Sequence, residues 1–221
     1  MKLFISAVTK TVLGIVLIGT LLFLPAWTFN YPGAWLFIGL LFIPTLILGV
    51  VLFIVSPSLL KKRIDAKEKE AKQGALIKLM GLMFVLGFVV SALDFRFGWS
   101  SVPTWLVILA SVLFIIGYLG YAEVLRENAY LSRTVEVQDG QTVVSTGLYS
   151  IVRHPMYLAT LFMFLPLPLI LGSLWGLVPM AAYLPLIIAR IVNEEKVLSD
   201  GLMGYTEYKQ KVKYRLIPFI W

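Results

Sequence analysis

Between Lys10 and Lys61 the chain carries no charged side chain at all. A helix needs about 20 mostly apolar residues to cross the roughly 30 Å hydrocarbon layer of a bilayer, and this interval holds nearly all of two such segments. The rest of the chain continues the pattern. Of its 221 residues, 59% are hydrophobic and 14% are charged, against roughly a quarter charged in an ordinary soluble domain. A soluble globular protein is excluded, because its surface could not be covered. Disorder is excluded by the low charge density and the many large side chains. With no cysteine, disulfide scaffolds, thiolate zinc sites and cysteine nucleophiles are excluded too. The sequence predicts an all-α integral membrane protein.

Six segments qualify as spans: about Leu3–Trp27, Trp35–Val55, Leu76–Leu93, Val102–Tyr121, Tyr157–Leu171 and Leu174–Ile191. Only Gly172 and Ser173 separate the last two, which fits a tight helical hairpin whose tip need not cross fully. Pro44, Pro166, Pro168, Pro179 and Pro185 are expected to kink their helices, as lipid-buried bundles tolerate. The first segment reads as an uncleaved span rather than a signal peptide: its apolar stretch, Thr11 to Pro25, is long for an h-region, and no small-x-small site follows.

The chain has 19 Lys and Arg against 12 Asp and Glu, a formal net charge of +7. Six spans place 18 of the 19 basic residues on one side and Arg96 alone on the other. The positive-inside rule then expects both termini in the cytosol, and the basic excess records orientation rather than an affinity for nucleic acid. Two regions follow: 1–125, four spans with a basic cytosolic loop at 56–78, and 126–221, a cytosolic loop, the hairpin and a C-terminal tail. The charges from Lys61 to Lys78, with Asp65, Glu68 and Glu70 among them, read as a solvated connector that sets topology.

The chemistry is expected in 126–221. Alternation on either side of Asp139-Gly140, between Thr134 and Ser145, predicts a small β-hairpin, since Asp-Gly suits a type I′ turn. Next come Gly147-Leu148-Tyr149 and Arg153-His154-Pro155-Met156-Tyr157. Pro155 fits the first turn of a helix, so Arg153 and His154 stand at a helix entrance that favours an anion. His154 is the only histidine; no metal-ligand spacing surrounds it, and no metal is expected. On the sixth span, Arg190 and Glu194 share a helix face, with Glu195 adjacent. The short hairpin turn brings these residues level with Arg153 and His154, and ionisable groups gathered at the membrane interface tend to be functional. Tyr205 and Tyr208 follow a Gly201–Gly204 break, as interfacial anchors or as walls of a pocket.

These motifs resemble the isoprenylcysteine carboxyl methyltransferases and their prokaryotic relatives. The likeness rests on Gly-Leu-Tyr, then Arg-His-Pro-Met-Tyr at 153–157, Arg-Ile-Val-Asn-Glu-Glu at 190–195, Tyr205, Tyr208 and the terminal Ile-Pro-Phe-Ile at 217–220. It covers about Arg126 to the C-terminus. Many prokaryotic relatives carry Arg-Gly-His where Asp139-Gly140-Gln141 stands. The resemblance implies a membrane methyltransferase using S-adenosyl-L-methionine and acting on a lipophilic or lipid-modified acceptor that enters from the bilayer. It further implies that Tyr149, Arg153, His154, Tyr157, Glu195, Tyr205 and Tyr208 contact the cofactor. Arg190, Glu194 and Arg153 would then stand near the reacting methyl. In agreement, no Gly-x-Gly-x-x-Gly follows a strand pattern, which excludes a Rossmann-type methyltransferase. The alternatives are a phospholipid or amine N-methyltransferase, an NADPH-dependent sterol or lipid reductase using the basic run 209–215, and, least favoured, a transporter or scaffold. The central portions of the spans carry no charge, contrary to the usual transporter pattern.

Overall fold

The computed structural model describes residues 2–65, 71–132 and 134–221. Residues 66–70 of the basic loop and Arg133 lie outside the described residues. Hydropathy sets the architecture: α1 (Lys2–Ala26), α2 (Pro32–Val55), α4 (Ala71–Phe97) and α5 (Thr104–Glu127) are long apolar helices, and α3 (Pro57–Asp65) is a short helix between the second and third of them. At 1.5 Å per residue a 24-residue helix is about 36 Å long, enough to cross a bilayer. The stretch Leu177–Gly201 also qualifies, so among the described residues five helices are long and apolar enough to span. It comprises α8 (Leu177–Ala181) and α9 (Tyr183–Gly201).

The remaining apolar segment is shorter. It forms α6 (Pro155–Phe164) and α7 (Leu167–Ile170), an apolar run of 155–170 that falls short of a full span. Pro166 and Pro168 account for the break, since each removes a backbone donor from the helical ladder. Pro44, by contrast, sits inside a continuous α2. The arm's far end is bound to its neighbours: the Tyr31 hydroxyl donates to Leu171 O at 2.8 Å, and Asp94 accepts from Ser173.

The core lies between α1, α2, α4, α5 and the α6–α7 arm, around Phe37, Phe88, Phe114 and Leu167. Gly117 sets the closest approach in it. A Cβ there would lie 2.6 Å from Ala159 O and 2.9 Å from Met163 and Phe162, so α5 and α6 touch backbone to side chain, as small residues permit in membranes. This small-residue pattern is used within the chain. Gly117 lies ten residues before the end of α5, whereas Ala159 lies only five past His154. The entrance of α6 is therefore recessed inside the end of α5, by about 7 Å at helical rise.

The expected β-hairpin does not form; among the described residues there is no strand. The turn itself is present, with Gly140 at φ 68° and Gln141 N donating to Gln138 O at 3.0 Å. Its flanks do not pair with each other. Val137 and Val143 pack instead against Leu198, Leu202, Tyr205 and Tyr208. The apolar residues of this segment thus dock on other elements rather than on a partner strand. Beyond a break at Leu202–Gly204, α10 (Tyr205–Lys211) completes this patch.

Candidate active site

His154 is the N-cap of α6 and Pro155 occupies its first turn, as the sequence predicts. The C-terminal tail holds this entrance by its backbone: Arg153 N donates to Tyr214 O and His154 N to Arg215 O, each at 2.9 Å. The Arg153 guanidinium points across the entrance. Its Nε donates to Glu195 Oε1 at 2.6 Å, and its Nη1 to the carbonyls of Val212 and Lys213 at 2.7 and 2.9 Å. Arg215 Nε reaches the other Glu195 oxygen at 2.8 Å, and His154 Nε2 lies 3.4 Å from Oε1. Three basic side chains and one carboxylate therefore tie α6, α9 and the tail together. Arg153, His154 and Glu195 are all buried, and such a cluster holds only because every charge in it is met by hydrogen bonds.

A second chain of bonds runs alongside. Arg190 Nε donates to the Tyr157 hydroxyl at 2.8 Å, and Tyr157 donates in turn to Glu194 Oε2. His154 Nδ1 stands 4.0 Å from the other Glu194 oxygen. One turn of α9 thus presents Glu194 to this chain and Glu195 to the ion cluster. Adjacent helix positions point about 100° apart, so the two carboxylates serve different surroundings. The backbone of Arg190 is itself held, with Gln73 Nε2 of α4 donating to its carbonyl at 3.2 Å.

Three tyrosines close the site. The Tyr208 hydroxyl donates to Tyr149 O at 2.7 Å, and Asn128 Nδ2 to the Tyr149 hydroxyl at 2.8 Å. Burial pushes the Tyr149 phenol up to about 12, and it raises Tyr205 and Tyr208 as well. All three therefore stay neutral at physiological pH and do not serve as bases. Tyr205 is buried, and among the described residues its hydroxyl has no hydrogen-bond partner. An unmet buried hydroxyl costs about 1–3 kcal/mol, so it marks a place where a ligand atom would be welcome. The Gly147 turn that positions Tyr149 is fixed by Glu127, whose carboxylate fills the space of a Cβ and accepts from Leu148 N at 3.0 Å.

Two cavities meet here. The polar one, about 100 Å³, is lined by Tyr149, Arg153, His154, Tyr157, Arg190, Glu194, Tyr205 and Tyr208. Glu195 does not line it, but stands behind Arg153 and His154. Residues from 130–132 and 134–144 form the roof, and Asn128, Thr134, Glu136 and Gln141 contribute polar groups that the motifs did not single out. Only the polarity of that loop hinted at them. The second cavity, about 560 Å³, runs between α1, α2, α5, α6 and α9 and is mostly apolar. Met156, Tyr157 and Arg190 line both.

Residues 105–202, from the start of α5 to the end of α9, match the model of a family described as phospholipid methyltransferase. No curated protein matches the chain. The family match, together with the long apolar helices, supports a multi-pass membrane methyltransferase.

Proposed function

We propose that the chain is an S-adenosyl-L-methionine-dependent methyltransferase that modifies a lipophilic acceptor, with the donor in the polar cavity and the acceptor in the apolar one. The observation carrying this reading is that a polar and an apolar cavity share Met156, Tyr157 and Arg190. Two substrates of opposite polarity can then meet at one place without either entering the other's solvent. The cofactor fits the chemistry of the polar cavity, whose Glu194 carboxylate, basic residues and orphan Tyr205 hydroxyl suit a cationic, zwitterionic and hydrogen-bonding molecule. At about 100 Å³ this cavity is smaller than the roughly 300–1,000 Å³ usual for ligand sites. The roof, whose described residues at 130–132 and 134–144 form no helix or strand, is the part that would have to lift.

The bound donor supplies a methyl group already activated on a sulfonium. For a carboxylate acceptor, such as an isoprenylcysteine, the protein needs no general base, since the acceptor is ionised at neutral pH. Arg190 orients it through the parallel hydrogen bonds that a guanidinium offers a carboxylate. Tyr157 fixes Arg190, and the apolar walls strip water from the reacting oxygen, which raises effective molarity. The O–CH3 bond forms as the S–CH3 bond breaks, leaving a neutral ester and thioether. A second reading, an amine acceptor, is favoured by Glu194, which lies against Tyr157 and would take the proton that an ammonium must lose. The family description fits that alternative.

The basic end of the bundle carries the site and, by the positive-inside rule, faces the cytosol in this reading. Adenosylhomocysteine is expected to raise the melting temperature of detergent-solubilised protein, and NADPH is not; the reverse would favour a reductase. Arg190→Ala is expected to cut turnover about 100-fold while leaving adenosylhomocysteine affinity nearly intact. Equal loss of both would remove Arg190 from its role.

A further inference from the structure

The cytosol-facing mouth of the apolar cavity holds a cation that the methyl-transfer scheme does not use. Arg63 lies in the last turn of α3, outside the region matching the family model. Helix α3 is seated by Leu59, which is buried against Val124 and Leu125 of α5. From there the half-buried guanidinium of Arg63 donates to Ser132 O at 3.0 Å and to the Tyr121 hydroxyl at 2.5 Å. It also sits 5.5 Å from the centre of the Tyr121 ring. Its partners among the described residues are thus a carbonyl, a phenol and a ring face. Among the described residues no carboxylate pairs with it.

A partly desolvated charge of this kind is costly unless it meets an opposite charge. A guanidinium has five N–H donors in a fixed fork, and the two protein acceptors hold that fork in place while leaving donors over. Among the described residues that line the cavity it borders, none is acidic. The walls are mostly apolar, including Leu41, Phe42, Leu52 and Met163. At about 560 Å³ the space is ligand-sized. An occupant complementary to it has an apolar chain and an anionic head.

We propose that Arg63, positioned by Tyr121 and Ser132, forms an anion subsite that holds the charged head of an amphiphile in the apolar cavity, the head being a phosphate or a carboxylate. The proposal rests on the reading that this cavity receives the acceptor, and it makes Arg63 a specificity-determining residue supplied by the N-terminal part of the chain. It is tested without methyl donor or turnover, so that its failure leaves the methyltransferase reading standing. The full chain in a nonionic detergent is titrated with oleyl phosphate, oleate and oleyl alcohol, and dissociation constants are taken from the rise in melting temperature. At least one of the two anions is expected to bind about 10–100-fold more tightly than the alcohol, the value of one charge-assisted contact. Whichever anion is preferred identifies the head. Arg63→Gln is expected to erase that preference, and Arg63→Lys to retain only part of it, because an ammonium lacks the planar fork. If Arg63→Gln does not fold, Tyr121→Phe decides instead: loss of the positioning hydroxyl is expected to reduce the preference several-fold. Equal binding of all three probes by the parent protein would overturn the proposal. So would an undiminished anion preference in the deciding variant.

Discussion

Two carboxylates are buried near opposite ends of the bundle, and they are satisfied by different kinds of partner. Asp94, near the end of α4, accepts from Ser100 N at 2.7 Å, Ser100 Oγ at 2.6 Å, the Ser173 hydroxyl and Trp175 N at 3.4 Å. All four donors are neutral. Together they bind the α4–α5 connection to the tip of the short arm. Glu195, on α9, is met by two arginines and a histidine. Neutral donors surrounding one anion make a staple that needs nothing further. Basic side chains gathered on one carboxylate keep polar groups at the edge of a cavity, which Arg153 and His154 line while Glu195 holds them from behind.

Removing each anion separates the two roles. Glu195→Ala leaves the Arg153 guanidinium buried without its counter-charge and His154 without this partner, and breaking such a buried ion pair costs about 3–5 kcal/mol. It is expected to show the largest loss of thermal stability and to abolish adenosylhomocysteine binding. Asp94→Ala strands Ser100 and Ser173 and should cost about 3 kcal/mol, with binding affinity for adenosylhomocysteine unchanged. Should Asp94→Ala abolish binding, or Glu195→Ala spare it, the two ends would not differ as described. The smallest effect is expected at Tyr205. Replacing it with Phe removes a hydroxyl that has no partner among the described residues, so the ligand-free protein should be as stable or about 1 kcal/mol more so. Binding should weaken about fivefold. A Tyr205→Phe protein that binds normally would mean that the hydroxyl faces no ligand.

The motif residues were legible in the sequence for a local reason. Pro155 announces a helix start, and Arg190, Glu194 and Glu195 sit on one apolar-to-polar helix. The expected two-residue hairpin turn is not what joins them: residues 171–176 separate α7 from α8, α6 packs on α5 and α9 on α4, and the side chains bridge the gap. The division of labour between Glu194 and Glu195 was not legible, because it depends on which way each rotamer leaves α9. The loop between Asn128 and Thr146 misled for a related reason. Its alternating residues have the period of a strand, but period alone does not say whether the partner is another strand or the side of a helix pair. Arg63 was hidden among Lys61–Lys78, a run whose composition explains itself as topology. Only the position of α3 beneath Tyr121 singles it out.

By itself, the sequence determined that this chain lives in a membrane, roughly where its helices run, and which stretch carries the unusual charges. Those properties follow from local hydropathy summed over segments of bilayer length. The tertiary structure decided that the fifth apolar segment is a short recessed arm, that the loop at 130–144 roofs a polar cavity, and that this cavity meets an apolar one at Tyr157 and Arg190. These depend on side chains distant in sequence finding one another across helix faces. Close packing at a single point, such as Gly117 against Ala159, shifts a whole helix relative to its neighbours, and a sequence read segment by segment contains no measure of that shift.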